Sequence, residues 1–201
     1  KKLPRTPSGL LYQKNEHGNA IHFVGLPSGD RDIDTTLSFV PCYEYLELKG
    51  CSNGLLLCYH GGITTYFADI SHVIVCNPAT QEWMSLPDTE PGPAVCYASY
   101  KLCFDPLWSQ YFYVFKFESS PSGGYDIVVK VFFSEYSTWS NCVWETSDIF
   151  FGDSLFVNGV LYMVHLWDNY ILALDAPTTC THALHHRTLR LPEFLNGPYR
   201  M

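Results

Sequence analysis

Charge is scarce in this chain. Asp, Glu, Lys and Arg make up 16% of the 201 residues, with 12 cations against 20 anions and a net charge of −8. Binding a phosphate backbone or an anionic membrane surface draws on lysine and arginine, so neither nucleic acid nor membrane is an expected partner. Long apolar runs are missing too. Gly, Asn, Asp or Lys interrupts each apolar stretch within about seven residues, far short of the ~18 that a membrane-spanning helix needs. No stretch carries a sustained helical period. No signal peptide opens the chain, and the start at Lys1-Lys2 rather than Met reads as that of a fragment.

The motifs of the common enzymes are also absent. There is no Gly-x-Ser-x-Gly elbow, no Gly-x-Gly-x-x-Gly or Gly-Lys-Ser/Thr phosphate loop and no His-Glu-x-x-His. The chain is therefore expected to be no enzyme and to need no cofactor. One cluster has metal-like spacing, Cys180-x-His182-x-x-His185-His186. A zinc site closes with four ligands, and this group has no second paired set, so it reads as a surface loop and no metal is expected. The eight cysteines, Cys42, Cys51, Cys58, Cys76, Cys96, Cys103, Cys142 and Cys180, mostly sit inside apolar runs without tight pairing motifs. They read as buried thiols of a cytoplasmic or nuclear protein.

What the chain does have is β-forming residues and turn signals. Aromatics are 16% and hydrophobics 47%, rich in the residue types that suit a pleated, half-buried surface. The organising stretch is Cys51-Ser52-Asn53-Gly54-Leu55-Leu56-Leu57-Cys58, followed after a loop by residues 73–87, which read VIVCNPATQEWMSLP. Asn-Gly before an apolar run marks a tight turn, and Asn-Pro marks another. The result is an apolar strand, a second one and a short strand with Trp83.

The unit recurs. At an offset of 56, residues 73–76 fall on 129–132, the Pro78 turn falls on 134–137 and Trp83 falls on Trp139. Asn158-Gly159 with residues 160–164 replays the Asn-Gly strand, residues 171–178 replay strand and turn, and Leu191-Pro192 replays Leu86-Pro87 at an offset of 105. Further strands are expected near 100–105, 111–117, 126–133, 138–144 and 187–191, and a hairpin over 10–12 and 21–24. A period near 50 with a strand-turn-strand-Trp core is that of kelch-like propeller blades. The expected fold is all-β, a kelch-like β-propeller, either incomplete or a small ring of three to four blades. Residues 1–50 form an irregular segment with a partial blade, and 51–201 hold the repeats of the same domain. Because Trp83 and Trp139 recur with the repeat, both are expected to pack blade against blade.

The strings CSNGLLLC, VCNPATQEW, CFDP, FVNGVLY and ILALD, in that order, resemble the F-box-associated domain of the plant F-box proteins. The resemblance implies a propeller that selects a target protein as the substrate adaptor of an SCF-type ubiquitin ligase. The Skp1–cullin part would be held through a helical F-box, which this chain lacks, so it is expected not to bind Skp1 alone. Residues that break the repeat are the better binding candidates: Tyr59, His60, Tyr66 and Phe67 in the first loop, Trp108, and Trp167-Asp168. Loop aromatics bring large contact area with few torsions. Association through exposed blade edges is also expected. Two alternatives remain, a small propeller hydrolase or carbohydrate-binding protein, of which a glycosidase would need two carboxyls ~5–9 Å apart, and a truncated relative that binds a partner without ubiquitination.

Overall fold

The computed structural model of the chain describes residues 9–13, 21–25, 36–41, 43–60, 72–88, 98–119, 127–142, 154–165, 170–176 and 184–190. It is all-β, with four small antiparallel sheets. The chain divides into two compact units, Lys1–Leu86 and Pro87–Met201. Among the described residues no helix is long and apolar enough to cross a membrane.

In the first unit, β1 (Gly9–Gln13) and β2 (Ile21–Gly25) form an antiparallel pair whose backbone register sets position 10 opposite position 24. A single 3-10 turn at Tyr43–Tyr45 leads into the meander β3 (Leu46–Ser52), β4 (Leu55–His60), β5 (His72–Asn77) and β6 (Glu82–Ser85), paired in chain order. The organising unit thus begins one strand earlier than residue 51. The alternation of Leu46 and Leu48 with Glu47 and Lys49 is the period-two signal of that strand, interrupted by a bulge between Leu48 and Gly50. Gln13 ties the β1–β2 pair to it. Its amide nitrogen donates to the Leu46 carbonyl at 3.0 Å and its oxygen accepts from Leu48 N at 2.9 Å, so one side chain satisfies backbone groups of an edge strand.

Two connections explain the register. Asn53 and Gly54 lie at φ 46° and 90°, the pair of left-handed residues a two-residue hairpin of right-twisted strands requires. From Asn77 to Glu82 the turn runs over Pro78, Ala79, Thr80 and Gln81. The Asn77 carbonyl accepts from Thr80 N at 3.3 Å, its side-chain oxygen accepts from Ala79 N at 3.0 Å, and Gln81 ends the turn at φ 58°. One face of the sheet buries Leu46, Leu56, Cys58, Ile74 and Cys76 against Leu37 and Val40. Each such side chain contributes roughly 1.5–3 kcal/mol when fully buried.

The second unit holds two more four-stranded meanders. One is β7 (Ala98–Cys103), β8 (Tyr113–Ser119), β9 (Ile127–Phe133) and β10 (Thr138–Cys142). The other is β11 (Ser154–Val157), β12 (Val160–His165), β13 (Tyr170–Asp175) and β14 (His186–Arg190). Each pairs in chain order. A shared core joins them, with Phe115, Phe117, Val129, Val131 and Phe133 from the first sheet and Phe156, Leu161, Met163, Leu172 and Leu174 from the second. Alternation along each strand places these residues on one face.

The repeat offsets reappear as backbone geometry. Residues 134–137 make the same four-residue turn as 78–81, Tyr136 N donating to the Phe133 carbonyl at 3.2 Å and Ser137 ending at φ 52°. Asn158 and Gly159, at φ 50° and 77°, make the same two-residue turn as Asn53-Gly54. The two tryptophans differ, however. Trp139 is half-buried, its ring 5.4 Å from Phe132 and its indole nitrogen donating to the Pro87 carbonyl at 2.7 Å. Trp83 is 43% exposed, so the expectation of a buried blade contact does not hold for it. Across the strand pair Trp83 faces Cys76, whereas Trp139 faces Phe132, and the smaller partner leaves the indole less to pack on.

Of the cysteines, Cys58, Cys76, Cys103 and Cys142 are buried thiols, while Cys51 is exposed, contrary to expectation. Cys42, Cys96 and Cys180 lie outside the described residues. Cys58 and Cys76 share the core of the first unit. The hydrogen bond between their sulfurs, together with burial, pushes the Cys58 thiol up, and the same bond holds Cys76 low against the effect of burial.

Candidate functional site

Of the residues singled out in sequence, Tyr59 and His60 lie at the end of strand β4 and not in the loop expected for them, because the apolar run from Leu55 continues its pairing through both. Side chains alternate across a strand, so these neighbours fall on opposite faces. His60 sits opposite both Leu46 and His72. Its imidazole stacks on His72 with centroids 6.2 Å apart at 28°, and meets the Tyr45 ring edge-on at 6.4 Å. On the other face Tyr59 lies opposite Glu47 and Val73. The Lys49 ammonium stands 5.1 Å over the Tyr59 ring and forms an ion pair with Glu47.

The 3-10 turn completes this end of the sheet with Tyr43 and Tyr45, 39% and 52% exposed. The outcome is an aromatic rim: Tyr45, His60 and His72 in contact along one side, Tyr59 with its lysine along the other, and Tyr43 in the adjoining turn. Its chemistry is that of a contact surface. Tyrosine and histidine offer an apolar body with a polar tip, and an ammonium over a ring strengthens with desolvation. Tyr43, Tyr45 and His72 were not singled out from sequence. The signal available was the aromatic spacing Tyr43-Glu44-Tyr45 just before an alternating strand.

Trp108 has a different setting from the one its loop position implied. It lies in the long connection 104–112 between β7 and β8. Asp105, only 5% exposed, organises that connection. One carboxylate oxygen accepts from Leu107 N at 3.0 Å and the other from Asn158 N at 2.9 Å, while its carbonyl accepts from Trp108 N and Ser109 N, both at 2.9 Å. The Trp108 ring then packs 5.6 Å from Tyr113 and 5.8 Å from Phe156, and covers Gly159. Although 37% of its surface is exposed, the indole acts first as a clamp between the two sheets of the second unit. Tyr66, Phe67, Trp167 and Asp168 lie outside the described residues, as do Cys180 and His182; His185 and His186 are exposed.

A polar cluster went unnoticed in sequence. Lys116 and Glu118 of β8 are 8% and 6% exposed. One oxygen of Glu118 pairs with Lys116 and the other with Lys130 of β9 at 3.0 Å. Lys116 also lies over the Tyr100 ring, 5.6 Å from its centroid. Burial alone would raise the Glu118 carboxyl, but the hydrogen bonds and charges of the two lysines outweigh it and hold the group below its ordinary value. Tyr100 is pushed up, first by burial and then by the negative charges of Glu118 and Asp88. The signal was a pair of opposite charges two residues apart in the apolar run YVFKFES and a lone lysine in IVVKVFF.

A comparison of the chain with models of protein families finds no match, and neither does one with curated proteins. What the geometry defines is a class, an all-β protein built of successive four-stranded antiparallel meanders with an aromatic rim.

Proposed function

We propose that the chain is a protein-interaction module of kelch-like propeller blades, similar to the F-box-associated domain, which holds a target protein and performs no chemistry on it. Three consecutive meanders with repeat-equivalent turns support the blade reading. The rim of Tyr45, His60 and His72 carries the binding reading, because it sets exposed and half-exposed aromatic rings against one another at one end of the first sheet, with Tyr43 in the adjoining turn and Tyr59 on the other face. Interfaces draw their energy from a few such anchors within a total buried area of roughly 1,200–2,000 Å². In a longer protein that carries an F-box, the same surface would present its target to a ubiquitin-charged enzyme.

The test uses the chain as bait in a native extract, followed by mass spectrometry and titration of the purified captured protein. A Tyr45→Ala/His60→Ala variant with an unchanged thermal midpoint is expected to lose that protein, and Trp83→Ala to retain it. Equal affinity of the rim variant and the wild type would sink the assignment.

A further inference from the structure

Strand β14 (His186–Arg190) has β13 on one side and, among the described residues, no strand on the other. All five of its side chains are exposed, Leu189 by 48%. It contains neither Pro nor Gly and pairs with β13 without a bulge, from Tyr170↔Arg190 to Leu174↔His186, so its outer backbone edge is straight enough to take a further strand. Its composition sets it apart from the chain. In a molecule of net charge −8 with 12 cations, these five residues hold Arg187, Arg190 and His186 and no acid.

That charge selects among occupants. A second copy adding its own β14 would bring four arginines together along one ladder, and like charges across a strand pair are destabilising. The outer strands β6 and β10, reading EWMS and TWSNC, carry at most one acid each. An extended acidic segment of another protein, by contrast, gains main-chain hydrogen bonds along the edge and sets carboxylates against the arginines. Arg187 reaches Asp175 at 2.9 Å with both side chains largely exposed, 63% and 45%. Such a pair contributes little, so the guanidinium exchanges it for an incoming carboxylate at small cost. Leu189 shares its face with Arg187 and offers an apolar contact beside that charge, while Arg190 lies on the opposite face with His186.

We propose that β14 is a docking edge for an extended, acidic peptide segment, which joins the last sheet as a fifth strand. The site shares no residue with the rim, so either assignment can fail alone.

The probe is a fluorescein-labelled peptide alternating Glu and Val, followed by anisotropy against the whole chain. Comparison peptides are the Lys/Val counterpart and two Glu/Val versions N-methylated at alternate amides in the two phases. The Glu/Val peptide is expected to bind and to weaken as salt rises, because exposed charges are screened. One methylated phase should lose binding and the other keep it, since only alternate amides of an added strand face the edge. Arg187→Glu/Arg190→Glu should weaken the Glu/Val peptide about fivefold, from one exposed pair, because the glutamates of an alternating strand share one face and meet only one of the two arginines, and gain the Lys/Val peptide, which shows that the variant is folded. No binding by Glu/Val, equal binding by both methylated phases, or indifference to the double charge reversal would each overturn the proposal.

Discussion

The indole of Trp108 lies so close over Gly159 that a Cβ at position 159 would meet Trp108 Cε2 at 2.6 Å. Gly159 also sits at φ 77°, while its repeat equivalent Gly54, at φ 90°, has nothing within 4 Å of the same virtual atom. Sequence context makes the two glycines twins, and the surroundings make them different.

Gly54→Ala is expected to cost about 1–2 kcal/mol, the penalty of a left-handed backbone for a residue with a Cβ. Gly159→Ala carries that penalty plus displacement of a packed ring, about 1–3 kcal/mol more. Urea denaturation of the two variants checks this, and equal costs would mean that the ring is not held against the turn.

Asp105→Ala removes an acceptor from two backbone donors, Leu107 N and Asn158 N. Hydrogen bonds to a charged acceptor contribute about 1.5–3 kcal/mol each, so a loss of about 3 kcal/mol or more is expected, with Asp105→Asn intermediate. Chemical denaturation reads the stability. Amide exchange at Asn158, faster in Asp105→Ala, identifies the bond responsible.

The acid range tests the buried cluster. Glu118 titrates lower in the folded chain than in the unfolded one, whose value is near 4.5. As pH falls the unfolded chain takes up the proton first, so the stabilisation is present in full above that value and is lost below it. The stability gap between wild type and Glu118→Gln is therefore expected to be widest above pH 4.5 and to narrow on acidification. A gap that stays constant from pH 6 to pH 3 would show that the carboxylate is not ion-paired.

The tryptophans give a paired comparison. Trp139→Ala loses the hydrogen bond to Pro87 and the contact with Phe132, about 2–3 kcal/mol, below the ~3–5 of a fully buried aromatic. Trp83→Ala, at an exposed position, should cost under about 1 kcal/mol. Thermal melts of both separate the outcomes.

Much of this architecture is legible in short strings. Asn-Gly at 53–54 and 158–159 marked two turns because their left-handed geometry depends on those two residues alone, and the offset of 56 located Gln81 and Ser137, which share a backbone conformation. What stayed hidden depended on distant partners. Trp108 read as a free loop aromatic because Gly159 and Phe156 are about fifty residues away. Strand β3 was missed because it lies upstream of the conspicuous Asn-Gly turn, despite the alternation of Leu46 and Leu48 with charged residues. The rim combines Tyr59 and His60, singled out as loop residues but lying at the end of β4, with Tyr45 and His72, which only the pairing of β4 with its neighbours brings to the same end.

Every sheet pairs strands that follow one another in the chain, and that wiring sets how the molecule is assembled in time. A strand needs only the hairpin before it as a template, so the loops closed within a sheet are short and their entropy cost grows slowly with length. Low sequence separation of contacts favours fast folding for an all-β chain. The strand pairs of each meander are complete once its fourth strand is released, whereas the core shared by the second and third meanders closes only when both are present.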